Sequence, residues 1–153
     1  MGLVGGECEM KESDFSKKFI EHMNTKFPLA WSAKIHIDEM QSNSIPDYLL
    51  CINGVFLAIE FKVQRDSRIS ITPGQMKELN KIKNANGVAL IIAFDEDNKK
   101  LLLRSTRLDY KEIFFSHANT KAIKSKNIKI DWDFAFNKYE DIVDVIKIMV
   151  EST

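Results

Sequence analysis

The sequence predicts an α/β fold, a mixed sheet flanked by helices, and three observations carry that prediction. Apolar residues from Phe15 to Phe27 recur at helical spacing, Asn53-Gly54 separates two β-rich runs, and a continuous apolar strand at Val88–Phe94 follows a capped helix. The chain has 153 residues, 44% hydrophobic and 29% charged, which is globular composition. We expect a single domain over 1–153, with a loose tail at 1–10, a core at 12–106 and a C-terminal extension at 107–153.

The first helix should run from Glu12 to Phe27, because Phe15, Phe19, Ile20, Met23 and Phe27 share one face and Pro28 stops it. Trp31, Ala33, Ile35 and Ile37 then alternate with polar residues, which predicts a half-buried strand, and residues 38–44 make a polar loop. Asp47–Ile52 and Val55–Val63 form a hairpin around Asn53-Gly54, a pair suited to the positive φ that a two-residue turn demands. A second helix spans Pro73 to Ala85. Thr72 is its N-cap, Pro73 its first residue, and Gln75 closes a capping box, while Asn86-Gly87 ends it. Val88–Phe94 should be buried on both faces. Leu101–Thr106 reads as a strand, Leu108–Phe115 as a short helix, and Asn137–Val150 as an amphipathic helix burying Ile142, Val145, Ile146, Met149 and Val150.

No apolar run approaches the length of a membrane span, and the N-terminus has neither a secretory nor a myristoylation pattern. Cys8 and Cys51 have no framework or metal-ligand spacing and read as reduced thiols, which points to a cytoplasmic protein with no membrane partner. The 22 basic and 22 acidic residues cancel, but unevenly: residues 98–130 hold nine basic side chains against only Asp109 and Glu112. Such a block is either a solvated lysine-rich surface or a partner for phosphates.

Chemistry concentrates on the hairpin. The two-residue turn sets Ile52 opposite Val55, Leu50 opposite Leu57, Tyr48 opposite Ile59 and Asp47 opposite Glu60. Opposed residues on one face have Cβ atoms roughly 4.5–5.5 Å apart, so two carboxylates stand side by side. Alternation puts Lys62 on the face of Glu60, with Val55, Leu57, Ile59, Phe61 and Val63 on the other, core-facing side. Two carboxylates at this separation suit Mg²⁺, which takes one or two of them and keeps room for waters and phosphate oxygens. A neighbouring lysine can orient an attacking water, which is the equipment for phosphodiester hydrolysis. The competing reading is a surface hairpin in which Lys62 pairs with Glu60 and Asp47 caps a turn after Pro46.

A further carboxylate could come from the first helix. At about 100° per residue Glu12 falls within the apolar stripe and Glu21 opposite it, while Glu9 would point inward only if the helix reached back that far. Glu12 either joins the cation site or frays into solvent. Gln75 is open in the same way, as a capping-box residue or as a neighbour of Lys62. His22, His36 and His117 have no ligand spacing and read as surface residues; Cys51, opposite Phe56, reads as a small core residue.

Pro46-Asp47 followed by Glu60-Phe61-Lys62, on opposed strands within an αβββαβ order, resembles the PD-(D/E)XK nuclease superfamily of restriction-endonuclease-like fold. With Thr72-Pro73-Gly74-Gln75 opening the next helix, the stretch looks like Holliday-junction resolvases and small VRR-NUC and phage-type nucleases. The resemblance covers 12 to about 106. It implies a nuclease domain in which Asp47, Glu60 and the backbone carbonyl of Phe61 bind Mg²⁺ or Mn²⁺. Lys62 would support the nucleophilic water, with Glu12 and Gln75 beside it. It also implies a DNA endonuclease leaving 5′-phosphate and 3′-hydroxyl ends, structure-selective on branched or duplex DNA, working as a homodimer in DNA recombination or repair. Lys17, Lys18, Arg65, Arg68, Lys121, Lys124 and Lys126 are the candidate nucleic-acid contacts. The alternative class is a non-catalytic nucleic-acid-binding or protein-interaction module on the same fold.

Overall fold

The structure is a computed structural model and describes residues 10–35, 44–106 and 126–153. The elements run α1 (Glu12–Lys26), β1 (Trp31–Lys34), β2 (Tyr48–Ile52), β3 (Val55–Gln64), β4 (Ile69–Ile71), α2 (Pro73–Asn84), β5 (Val88–Asp95), β6 (Lys100–Arg104), β7 (Lys126–Ile128), β8 (Phe134–Phe136) and α3 (Tyr139–Glu151). The expected helix at 108–115, the loop at 38–43, Cys8, Glu9, His36 and His117 lie outside the described residues.

One six-stranded mixed sheet, ordered β1-β2-β3-β5-β6-β8, organises the chain. Among the described strands only β3 and β5 run parallel, joined by a crossover through α2. The hairpin register is the expected one, pairing Tyr48 with Ile59, Leu50 with Leu57 and Ile52 with Val55. Asn53 and Gly54 both take positive φ, at 50° and 81°, the backbone a tight right-twisted hairpin requires.

Strand alternation divides the core in two. Leu57, Ile59 and Phe61 of β3, with Leu90 and Ile92 of β5, face α1 and α3, where Phe15, Phe19, Met23, Ile142, Ile146 and Val150 cover them. Ala89, Ile91 and Ala93 face the opposite way, under Met76 and Leu79 of α2 and Ile69, Ile71 and Ile128 of the small β4–β7 sheet. β5 is therefore buried on both faces, as its continuous apolar run requires. In α3 the buried stripe centres on Ile142, Val143, Ile146 and Val150; Val145 and Met149 are only half-buried.

Three expectations need correction. β1 is an edge strand, so Trp31 stays 59% exposed and the strand is shallower than its alternation suggests. Cys51 does oppose Phe56, but it is half-buried and Phe56 is exposed, so the pair is not core. His22 is half-buried where α1 meets α3, stacked on Tyr139 at 4.8 Å between ring centroids. Sequence patterning also missed the three-residue strands β4, β7 and β8. The last supplies the sheet's sixth strand from the segment set apart as an extension.

A Cβ at Gly54 would meet nothing within 4 Å, so any cost of substitution there comes from backbone φ alone. Gly54→Ala should destabilise the protein by roughly 1–2 kcal/mol, read as a lower denaturation midpoint with an unchanged slope. A neutral result would mean that another turn conformation serves the hairpin equally well.

Candidate active site

The β2–β3 ladder ends where the carboxylates begin. After the Tyr48–Ile59 pair, Phe61 should exchange both backbone hydrogen bonds with residue 46. Residue 46 is proline and has no N–H, so the ladder offers the Phe61 carbonyl no donor there. The Phe61 N–H is taken instead by the side chain of Asp47, whose Oδ2 accepts it at 2.9 Å. The Asp47 carbonyl accepts from Ile35 N–H at 2.8 Å, which ties the residue to the β1 side as well.

Glu60 and Lys62 share the face that α2 covers, and both are buried, 2% and 8% exposed. Lys62 Nζ lies 3.5 Å from Glu60 Oε2 and donates to Gln75 Oε1 at 3.1 Å. Gln75 Nε2 donates to the same Glu60 oxygen at 3.2 Å. Gln75 also completes the capping box of α2: its Oε1 accepts from Thr72 N–H at 3.1 Å while its own N–H donates to Thr72 Oγ1 at 3.0 Å. The two readings of Gln75 are therefore one arrangement. An amide fixed by the helix start presents its two ends to the lysine and the glutamate. Gly74 lets this helix start approach the loop bearing Asp47, since a Cβ there would lie 2.5 Å from Ser44 Oγ.

Burial pushes the Glu60 carboxyl up to about 8; the nearby Asp47 charge adds to this, Lys62 opposes it, and Glu12 and a carboxyl–carboxyl hydrogen bond with Asp47 raise it further. Partial burial likewise raises the Glu12 carboxyl, with Lys62 and Arg65 opposing and Asp47 reinforcing the shift. Glu12 belongs to this cluster, yet its residue surface is exposed, because it is the first residue of the helix, ahead of the buried Phe15. Glu21 is exposed.

Among the described residues no three side chains of ligating type already surround a common point. A divalent cation nevertheless fits the donor set. Carboxylates outnumber the one lysine, burial and then the Asp47 charge raise the Glu60 carboxyl in the cation's absence, and Pro46 leaves the Phe61 carbonyl without a ladder donor. Mg²⁺ needs only one or two protein carboxylates, with water and phosphate completing its shell.

Residues 38–136 match the family described as archaeal Holliday junction resolvase (Hjc). The chain belongs to that family. The match begins after α1 and runs through β8, past the end of the resemblance read from the sequence. Among solved structures the chain is similar to Hjc of Archaeoglobus fulgidus, a Holliday junction resolvase from an archaeal hyperthermophile. The TM-score is 0.44 at 11% identity, over 74% of this chain and 87% of that one. It is also similar to the bacterial homing endonuclease I-Ssp6803I, with a TM-score of 0.37 and 12% identity over 100% of both chains. No curated protein sequence matches. As a member of the Hjc family the chain is a resolvase-like nuclease of α/β fold. No described helix is long and apolar enough to cross a membrane.

The basic candidates are dispersed. Lys17 and Lys18 are exposed on α1, and Arg68 is exposed with its guanidinium 3.4 Å from the Asn127 carbonyl. Arg65 is ion-paired with Glu96. Lys121 and Lys124 lie outside the described residues, and Lys126 contributes backbone to β7. Sequence reasoning missed Gln64, which is buried beside Lys62 on the same strand face and accepts from Trp132 Nε1 at 2.8 Å. Its alternation with Glu60 and Lys62 was the available signal.

The raised Glu60 value fixes a pH dependence. In the unfolded chain this group titrates near 4.5, so between there and about 8 the folded chain holds a proton that the unfolded chain has released. That stability is complete below the lower value and is lost as pH rises through the upper one. In chelator, wild type should be less stable at about pH 8.5 than at about pH 5.5, and Glu60→Gln should flatten that difference. Denaturant titrations at the two pH values check this; an equal decline in both proteins would show that the slope arises elsewhere.

Proposed function

We propose that the chain is a divalent-metal-dependent endonuclease that hydrolyses phosphodiester bonds in branched DNA, working in the cytoplasm as a two-fold homodimer. The observation that supports this reading best is the convergence of Asp47, Glu60 and Lys62, bridged by Gln75, in a chain of the Hjc family. Asp47, Glu60 and the Phe61 carbonyl are the groups that would hold Mg²⁺ or Mn²⁺, with Glu12 at the margin. The bound cation supplies charge neutralisation at the scissile phosphate and a lowered pKa for the attacking water.

The chain's own residues do the rest. Lys62, desolvated and oriented by the Gln75 carbonyl, holds the attacking water and stabilises negative charge as the phosphorus–oxygen bond forms. Gln75 keeps the lysine and Glu60 in fixed relation because its own position is set by the helix cap. No base-reading element is visible in the sequence, and selection then falls on DNA shape and backbone. Lys17, Lys18 and Arg68, with Lys121, Lys124 and Lys126, are the proposed backbone contacts.

Cleavage of a four-way junction and of supercoiled plasmid, with Mg²⁺ and with chelator, tests the reading. Wild type should cut in Mg²⁺ only. Lys62→Ala should lose about 10²–10⁴-fold in single-turnover rate while binding the junction almost as well. Near wild-type cutting by the variant would remove Lys62 from the mechanism, and binding without any cutting by wild type would favour the non-catalytic module.

A second outcome concerns the basic block. Replacing Lys121, Lys124 and Lys126 by Ala should weaken junction binding and reduce its salt slope by about 1 for each phosphate contact removed. An unchanged slope would mark the segment as solvated surface.

A further inference from the structure

α1 covers the sheet face opposite the one α2 covers, yet the residue just ahead of it, Met10, is hydrogen-bonded to Arg65 at the end of β3, and Glu12 feels the charges of Lys62, Asp47 and Arg65. The first turn of α1 must therefore be held at the strand ends, and Arg65 stands at that point. It follows β3 directly, and its Nε lies 2.8 Å from Glu96 Oε2 in an ion pair. Glu96 follows β5 directly, its side chain is only 14% exposed, and its N–H donates to the Gln64 carbonyl at 3.0 Å. A second arm of the guanidinium reaches the other way: Nη2 donates to the carbonyl of Met10, just ahead of α1, at 3.3 Å. The base of the side chain is fixed too. Arg65 and Arg68 exchange backbone hydrogen bonds of 3.0 and 2.9 Å around Asp66 and Ser67, both in left-handed backbone.

We propose that Arg65 is a positioning residue, anchored by Glu96, that holds the start of α1 so that Glu12 faces Lys62 and Asp47. The inference rests on the reading of Glu12 as part of the nuclease site. It replaces the sequence expectation of Arg65 as a phosphate contact, because a guanidinium already paired with a mostly buried carboxylate adds little to a DNA-facing field. The clamp joins the ends of the two parallel strands to the one site element outside the family match.

Five variants test it: Arg65→Ala, Arg65→Lys, Glu96→Gln, Glu12→Gln and the Arg65→Ala/Glu12→Gln double variant. Three readouts apply, namely single-turnover junction cleavage across a Mg²⁺ titration, junction binding in Ca²⁺ across salt concentration, and amide hydrogen exchange over residues 13–18. Arg65→Ala should lose about 10–100-fold in rate or in apparent Mg²⁺ affinity, the range found when a supporting partner of a metal ligand is removed. It should cost nothing further in the Glu12→Gln background, leave the salt slope of binding unchanged and speed exchange at the start of α1. Glu96→Gln should move in the same direction, and Arg65→Lys should recover part of the loss. A salt slope reduced by about 1, with losses that multiply independently of Glu12→Gln, would make Arg65 a phosphate contact and overturn the proposal. Unchanged exchange in Arg65→Ala overturns it as well, whether or not wild type cuts. A wild type that cuts no junction refutes the nuclease reading separately.

Discussion

Paired backbone hydrogen bonds zip β2 to β3 from the Asn53-Gly54 turn as far as Pro46, which has no N–H to offer. The phase set at that turn decides which β3 side chains face α1 and α3 and which face α2. A slip of one residue would exchange the two sets, burying Glu60 and Lys62 among phenylalanines and turning Leu57, Ile59 and Phe61 toward α2. The abrupt end at Pro46 matters equally. It frees one strand position from the ladder and turns the neighbouring aspartate inward to take the Phe61 N–H. The same register that builds the hydrophobic core thus places Glu60 and Lys62, and the end of the ladder places Asp47 beside them.

Around Lys62 the buried polar side chains satisfy one another. Lys62, Gln75 and Glu60 form a closed relay, and the amide in its middle is held by the capping box of α2. A buried charge without partners is strongly destabilising, so a relay anchored on a helix cap is a low-strain way to keep a lysine in the interior. The arrangement remains electrostatically unfinished. Glu60 keeps its proton to about 8 because burial and Asp47 outweigh Lys62. A cation between the carboxylates would displace that proton, which couples metal affinity to pH and metal binding to stability.

The site draws on three layers of the molecule: the sheet for Asp47, Glu60 and Lys62, α2 for Gln75, and α1 for Glu12. Elements on opposite faces can meet only at the strand ends, and there the ion pair of Arg65 with Glu96 and the Trp132–Gln64 hydrogen bond cross between segments. Trp132 comes from the far side of the family match, so the C-terminal region takes part in shaping the face that carries Lys62.

What the sequence determined by itself was local. Asn53-Gly54 specified the hairpin and hence the pairing of Tyr48 with Ile59 and the shared face of Glu60 and Lys62, because a two-residue turn leaves one register. Thr72 and Gln75 specified the start of α2, being three residues apart and reciprocal in their bonds. The helical phase of Glu12 was equally readable, since it follows from periodicity alone. Tertiary structure decided whatever depends on residues distant in the chain. It left Glu12 exposed, made the edge strand β1 shallow, paired β4 with β7 and paired Arg65 with Glu96. It also made the two readings of Gln75 compatible, by bringing the cap of α2 against β3. Turns and caps close through a few neighbouring residues and so leave a signature in the sequence, whereas an ion pair between two strand ends exists only once the sheet has assembled around it.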